Sequence, residues 1–459
     1  MGRAGKVEIF ETGQASEIQR GRHPRVYKKC RMEDLIMDRV ETKKLLANVF
    51  EGIAHYLNDY LYMPDIETHL RVLIAAVIAN RISGDPVWLL LMDHPSSGKT
   101  ELLNLLYSQS NIHFVSAITA NTLASGYKGD VSLLTTLDPE PVPIIVTKDF
   151  NTIATLPLDK RNEILSQLRE VYDGKFNKRF GNGVQVNWEG KLGFLGACTP
   201  SIEMYLSVWG ILGERFIIYR LNSDVDQVKA GLKAIQVSGT EQHFKDQARG
   251  LLETFLSKIS LDREIKFSES INKKIASLAA FVAKSRPPVI RHGYTRDIEF
   301  VSSESSPRLA KSLVQLGKGL ALLRGDETLG SVDYQILTDV AFGSIPISRL
   351  KILFLLNEKR AALNFASIQA SGLFNISETG LRRIIEDLCA LELLKAHGKG
   401  ISLTYQLSRS VINLVENFTW DEAEQKDNPL ESIENQLLGT QSLYIPLNSE
   451  NIGKEAKND

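Results

Sequence analysis

Cysteine is scarce in this sequence: Cys30, Cys198 and Cys389 are the only three in 459 residues, and they lie far apart. That excludes a disulfide framework and a cysteine-based zinc cluster, and it predicts reduced thiols in a reducing compartment. An excess of one charge is equally missing, because 54 Lys and Arg oppose 55 Asp and Glu, for a net charge of −1. No field of the whole chain steers it toward nucleic acid, so any such contact must come from local patches. No hydrophobic run is long enough to span a bilayer, and the opening MGRAGKVEIFETGQ lacks the apolar stretch of a secretory signal. The expected location is the cytoplasm, with no membrane partner. What is present is an ordinary globular composition, 43% hydrophobic and 24% charged, over a length that accommodates two or three domains.

The most informative stretch is 87–103, VWLLLMDHPSSGKTELL. It reads as a buried strand, a tight loop and the start of a helix, and the loop has the Gly-Lys-Thr ending of a phosphate-binding P-loop. The backbone N–H groups of Ser96, Ser97 and Gly98 are expected to cradle a phosphate, with Lys99 on the β- and γ-phosphates and the Thr100 hydroxyl on Mg²⁺. Glu101 completes the candidate nucleotide-binding set. Asp93 stands where GxxxxGK[ST] has its first glycine, so the strict pattern is missed by one residue.

Around this stretch, residues 1–31 form a polar arm that collects Arg20, Arg22, Arg25, Lys28, Lys29 and Arg31, either a phosphate contact or a solvated tail. Residues 32–84 carry helical periodicity and should pack on the nucleotide domain, 85–221. Strands are expected at 112–118, 142–147 and 192–199 and in IIYRL, giving an α/β fold with a parallel sheet flanked by helices. Asp149 follows the second of these strands. It is either the acid that holds Mg²⁺ or orients the attacking water, or a loop carboxylate capping a helix. Between an amphipathic helix at 158–172 and the next strand, FNKRF, GNG and VQVNW read as a hairpin. Lys178 and Arg179 on it either grip a nucleic-acid backbone or are solvated rim charges.

This order of parts resembles the AAA+ ATPases, in particular the clade with a hairpin before sensor 1, which includes minichromosome-maintenance helicases and enhancer-binding activators. The resemblance spans about residues 87–345. It implies that Gly98, Lys99 and Thr100 are Walker A, that Asp149 is the Walker B acid, and that Thr199 is the polar sensor 1 residue. It implies further that Arg215, in GERF, is an arginine finger acting on a neighbour's ATP, and that Arg308 is the sensor 2 arginine contacting the γ-phosphate. Two departures stand out. Aligned on Phe150, Lys148 takes the place of the family's magnesium aspartate and Asp149 that of its catalytic glutamate, which adds positive charge beside the metal. No Gly-Ala-Phe-Thr-Gly-Ala polymerase-engaging loop is present.

Residues 222–345 are expected to be a helical lid with an insertion, HGYTRDIEFVSSESS being a polar loop. Residues 346–416 read as three helices and a strand, a winged helix-turn-helix. Arg382 and Arg383, with Ser377 and Thr379, would face the groove, and Lys395, His397 and Lys399 would lie near phosphates. Residues 417–459 form a polar, acidic tail. The resulting expectation is a homo-oligomeric, hexameric ATPase using ATP and Mg²⁺ and acting on DNA as a helicase or translocase. The alternatives are a DNA-bound regulator or loader that remodels a protein partner, and a nucleotide-binding switch with little turnover.

Overall fold

The computed structural model describes residues 32–127, 132–205, 215–221 and 226–419. The basic arm, most of the acidic tail and Cys30 lie outside these residues. The chain divides into two compact units, Met1–Glu41 and Thr42–Asp459. Of the first, the described part is the opening of helix α1 (Met32–Tyr60). The rest of the described chain belongs to the second unit.

The centre of that second unit is a five-stranded, all-parallel sheet in the order β2-β3-β6-β1-β7: β1 Trp88–Met92, β2 Ile112–Phe114, β3 Ile144–Thr147, β6 Gly193–Cys198 and β7 Phe216–Arg220. The strands read WLLLM, IIVT, GFLGAC and FIIYR because both faces of the sheet are covered, so apolar residues follow one another without alternation. Successive side chains divide between two cores. Leu89, Leu91, Val146, Leu195 and Ile217 join the core beneath α2 (Ile66–Arg81). Trp88, Leu90, Ile145, Phe194 and Phe216 join the other, with Leu165 and Leu168 of α6 (Leu158–Tyr172). Trp88 is fully buried and its indole N–H donates to the Leu192 carbonyl at 2.7 Å. Truncating such a residue typically costs about 3–5 kcal/mol. The remaining short elements of this region are α3 (Lys99–Asn104), α4 (Leu133–Thr136) and α5 (Asn151–Ala154).

The hairpin is present: β4 (Lys175–Arg179) pairs antiparallel with β5 (Gln185–Glu189), just before β6. It buries Phe176 and Val186 and exposes Lys175, Asn177 and Arg179 of β4 on the other face, the half-buried pattern of alternating side chains.

Beyond the sheet come the helices α7 (Gln227–Gln236), α8 (Glu241–Lys258), α9 (Glu269–Ser285), α10 (Pro307–Leu323) and α11 (Ser331–Gly343). Helix α10 lies tightly on α2, where a Cβ on Gly319 would come within 2.2 Å of the Ala75 carbonyl oxygen. Any side chain there would push the helices apart. The segment expected as a polar loop between α9 and α10 is instead a hairpin, β8 (Val289–Arg291) with β9 (Ile298–Val301). Its outer residues Ile290 and Phe300 face each other but are exposed, so the run lacks the burial alternation that marks a strand in sequence.

The C-terminal part holds α12 (Ile347–Lys359), α13 (Phe365–Ala370), α14 (Glu378–Ala390) and α15 (Arg409–Phe418). A three-stranded antiparallel sheet in the order β10-β12-β11 accompanies them: β10 Leu363–Asn364, β11 Leu394–His397 and β12 Thr404–Leu407. It is tied to the β8–β9 hairpin by Asp387 of α14, which accepts from Arg291 of β8 at 2.7 Å and also lies 3.6 Å from Arg349 of α12. Among the described residues, no helix is long and apolar enough to cross a membrane.

Candidate functional site

The loop Asp93–Gly98 leaves the end of β1 and enters α3, so it sits at the carboxyl edge of the sheet's interior, where open parallel sheets form a crevice. Two of its residues adopt left-handed backbone, Ser96 at φ 63° and Gly98 at φ 87°. Gly98 is also approached closely, because a Cβ there would meet the Met63 Cε at 2.2 Å. The Asp93 carboxylate accepts the His94 N–H at 2.7 Å, which fixes the loop's first turn from a side chain where the P-loop pattern has glycine.

Lys99 is folded across this loop. Its ammonium donates to the Asp93 carbonyl at 2.9 Å, the His94 carbonyl at 2.5 Å and the Ser97 Oγ at 3.0 Å. Burial lowers its pKa, opposed by the negative charge of Asp93 and Asp149. The ammonium occupies the centre of the loop, satisfied by neutral oxygens that an anion's oxygens can replace.

Beside it lies a cavity of about 450 Å³, lined by residues 60–63 at the end of α1, by His94–Glu101 and by Gln227, Ala230 and Ala234 of α7. Thr100 is exposed to it. This volume falls in the range of small-molecule sites. The lining combines apolar and aromatic groups, Tyr62 and Met63, with the polar loop.

The two neighbouring strands contribute at the same edge. Asp149, two residues beyond β3, accepts the Asn151 N–H at 3.0 Å, a local turn leading into α5, whose cap position is taken by Phe150. Its charge is also felt at Lys99. Thr199 follows β6; its hydroxyl accepts from Asn151 Nδ2 at 2.9 Å, and its N–H donates to Asn151 Oδ1 at 2.8 Å. Nothing in the sequence singles out Asn151, yet it joins the Asp149 turn to Thr199. The signal was available only as a polar residue two positions past the acid. The Lys148 ammonium lies 4.9 Å and 5.7 Å from the ring centres of Tyr107 and Phe114.

Two of the residues expected at phosphates, Arg215 and Arg308, lie away from their own chain's loop. Arg215 precedes β7, whose first residue pairs with Trp88, so it lies at the opposite end of the strands from the loop. It is 7% exposed, donates to Asp173 at 2.7 Å within its own chain and lies 5.5 Å from the centre of the Tyr172 ring. Burial lowers its pKa, with Asp173 opposing. In the single chain this guanidinium is bound to its own Asp173. Arg308, at the start of α10, converges on the same Asp173 at 3.7 Å and the same ring at 5.8 Å. It therefore lies away from its own chain's loop, because α10 packs along α2 with its amino end at the strand starts.

Of the expected nucleic-acid residues, Lys178 is paired with Glu163 of α6 at 3.1 Å, and Arg179 is exposed. Arg382 is bound to Glu378 at 2.7 Å and stacks 3.8 Å from the Phe365 ring centre, whereas Arg383, Lys395, His397 and Lys399 are exposed. No group of three or more potential ligands for a metal occurs among the described residues.

The fold and site together define an α/β protein with a five-stranded parallel sheet flanked by helices, compatible with a P-loop type of domain. Comparison of the chain with protein-family models gives no match, and comparison with curated protein sequences gives none either.

Proposed function

We propose that this protein is an ATP-binding switch of AAA+ type, in which nucleotide occupancy controls contact with nucleic acid and turnover is slow. The observation that carries the reading is the loop after β1. A buried lysine lies at its centre, hydrogen-bonded to three neutral oxygens, and the loop opens on a cavity of about 450 Å³. The triphosphate would take the place of those oxygens around Lys99, with the N–H groups of Ser96, Ser97 and Gly98 as further donors. Thr100 and Asp149 would hold Mg²⁺, which supplies neutralising charge to the phosphates. Thr199 and Asn151 form a polar pair beside them that can hold a water.

The switch is favoured over the motor by Arg215. A ring motor needs a cation from one subunit on the next subunit's phosphate, and this guanidinium is bound to Asp173 at home. Nucleic acid is assigned to the C-terminal helices and three-stranded sheet, read as a winged helix, through the exposed Arg383, Lys395 and Lys399. A protein partner remodelled on DNA is compatible with the same site.

The test is calorimetric titration of ATP with Mg²⁺, together with phosphate release with and without DNA. Binding that is lost in Lys99→Ala, with slow release unchanged by DNA, is the expected result. Rapid DNA-stimulated hydrolysis abolished in Arg215→Ala would overturn the switch in favour of a motor. Equal ATP binding by wild type and Lys99→Ala would overturn both.

A further inference from the structure

The residue after Thr100 is not a bystander. Glu101 is one of the residues lining the cavity, and its carboxylate is held from two other elements. Lys245 of α8 lies 2.9 Å from Oε2, and the Tyr60 hydroxyl, at the end of α1, donates to the same oxygen at 3.5 Å. The Lys245 ammonium is also 5.4 Å from the centre of the Tyr60 ring, and Phe244 stacks on that ring at 6.5 Å. Oε1 has only a 3.5 Å contact from the Asn104 amide within α3. Three segments of the chain thus meet to orient one carboxylate at the wall of the cavity.

An ionised carboxylate only accepts hydrogen bonds, and it repels phosphate. Lys99 marks where the phosphates go, so an ionised carboxylate in the same wall suits the neutral donors of a nucleotide rather than its phosphates. We infer that Glu101, positioned by Lys245 and Tyr60, selects the nucleoside part of the ligand by accepting a hydrogen bond from it. The donor is a ribose hydroxyl or the exocyclic amine of the base. The inference rests on the nucleotide reading above and adds the group that reads the nucleoside. Lys245 has a second task here, because its charge offsets that of Glu101 and lowers the cost of bringing a polyanion alongside.

The experiment compares full-length wild type, Glu101→Leu, Lys245→Ala, Lys245→Arg and Lys99→Ala by titration with three Mg²⁺-nucleotides. ATP is the reference, 2′,3′-dideoxy-ATP lacks both ribose hydroxyls, and inosine triphosphate has a carbonyl in place of the amine. Wild type is expected to prefer ATP over one of the analogues by about tenfold, the worth of one hydrogen bond to a charged group. The analogue that loses identifies the donor. Glu101→Leu should reduce this preference to within about twofold, and Lys245→Ala should weaken all three nucleotides, with Lys245→Arg, which keeps the positive charge, restoring them. Far-ultraviolet circular dichroism and thermal unfolding confirm that each variant is folded.

ATP bound by wild type and lost in Lys99→Ala, but discriminated equally well by Glu101→Leu, would overturn this inference and leave the nucleotide reading standing. So would wild-type protein that binds all three nucleotides alike. Lys245→Ala with wild-type affinities would remove Lys245 from the device. Wild type that binds ATP no better than Lys99→Ala would overturn the nucleotide reading and this inference together.

Discussion

His69 is 3% exposed, and its Nδ1 is hydrogen-bonded to the Tyr219 hydroxyl at 2.8 Å, joining the start of α2 to β7. Burial holds its pKa down at about 4 against an ordinary 6.5, with the Pro64 carbonyl partly opposing. Between those values the unfolded chain binds a proton that the folded chain does not. Stability from this residue is therefore complete above pH 6.5 and is lost as pH falls toward 4, by about 3 kcal/mol in all. Urea unfolding at pH 7.0, 5.5 and 4.5 should show a steeper acid loss in wild type than in His69→Gln. Parallel profiles for the two would refute the assignment. The same residue-by-residue view separates the candidate cations: Lys99 faces the cavity end of the sheet, while Arg215 and Arg308 share one aspartate at the other.

At the scale of elements, the β8–β9 hairpin is the least expected feature and one of the best tied. Arg291 is 15% exposed; besides Asp387 it donates to the Arg296 carbonyl at 3.0 Å and the Arg383 carbonyl at 3.4 Å. One guanidinium thus fixes the hairpin's tip and helix α14 to each other. Arg291→Ala removes it and leaves Asp387 with Arg349 alone, which should cost about 1–3 kcal/mol locally. Amide exchange should accelerate in residues 289–301 and 378–390 while β1 and β6 keep their protection. Unchanged exchange in the hairpin would show that its own pairing suffices. Helix α7 is the opposite case: it has no buried residue and exposes Val228, Leu232 and Ile235 along one side, although Asp226 caps its first turn. Its amphipathic pattern forms a helix without giving it a bed.

At the scale of the molecule, α7 is where the cavity meets the helical region, because its Gln227, Ala230 and Ala234 line the cavity wall. On the nucleotide reading proposed above, a bound nucleotide would pack against this wall of the helix, and elements with few buried contacts open most readily. Saturation with ATP and Mg²⁺ at about 100 times the dissociation constant stabilises the bound state by roughly 2.7 kcal/mol. Amides of residues 227–236 should therefore exchange several-fold more slowly with nucleotide, and Lys99→Ala should abolish that slowing. Protection confined to Ser96–Glu101 would mean that occupancy does not reach the helices.

The sequence by itself determined the strands of the parallel sheet, the loop after β1 and their order along the chain, because each is encoded by contiguous residues. The five strands of the sheet fall within or beside the runs read as apolar, since strands covered on both faces need no partner to declare themselves. The hairpin before β6 was announced by Gly181-Asn182-Gly183 between two alternating segments. Only the tertiary structure decided which charges meet. Arg215 and Asp173 are 42 positions apart, and Glu101 and Lys245 belong to different helices, so no local pattern links either pair. It also decided that Lys148 turns to aromatic rings and that Asn151 bridges to Thr199. Backbone form follows from neighbours along the chain, whereas the partner of a long polar side chain depends on which surfaces the folded sheet and helices bring within a few ångströms.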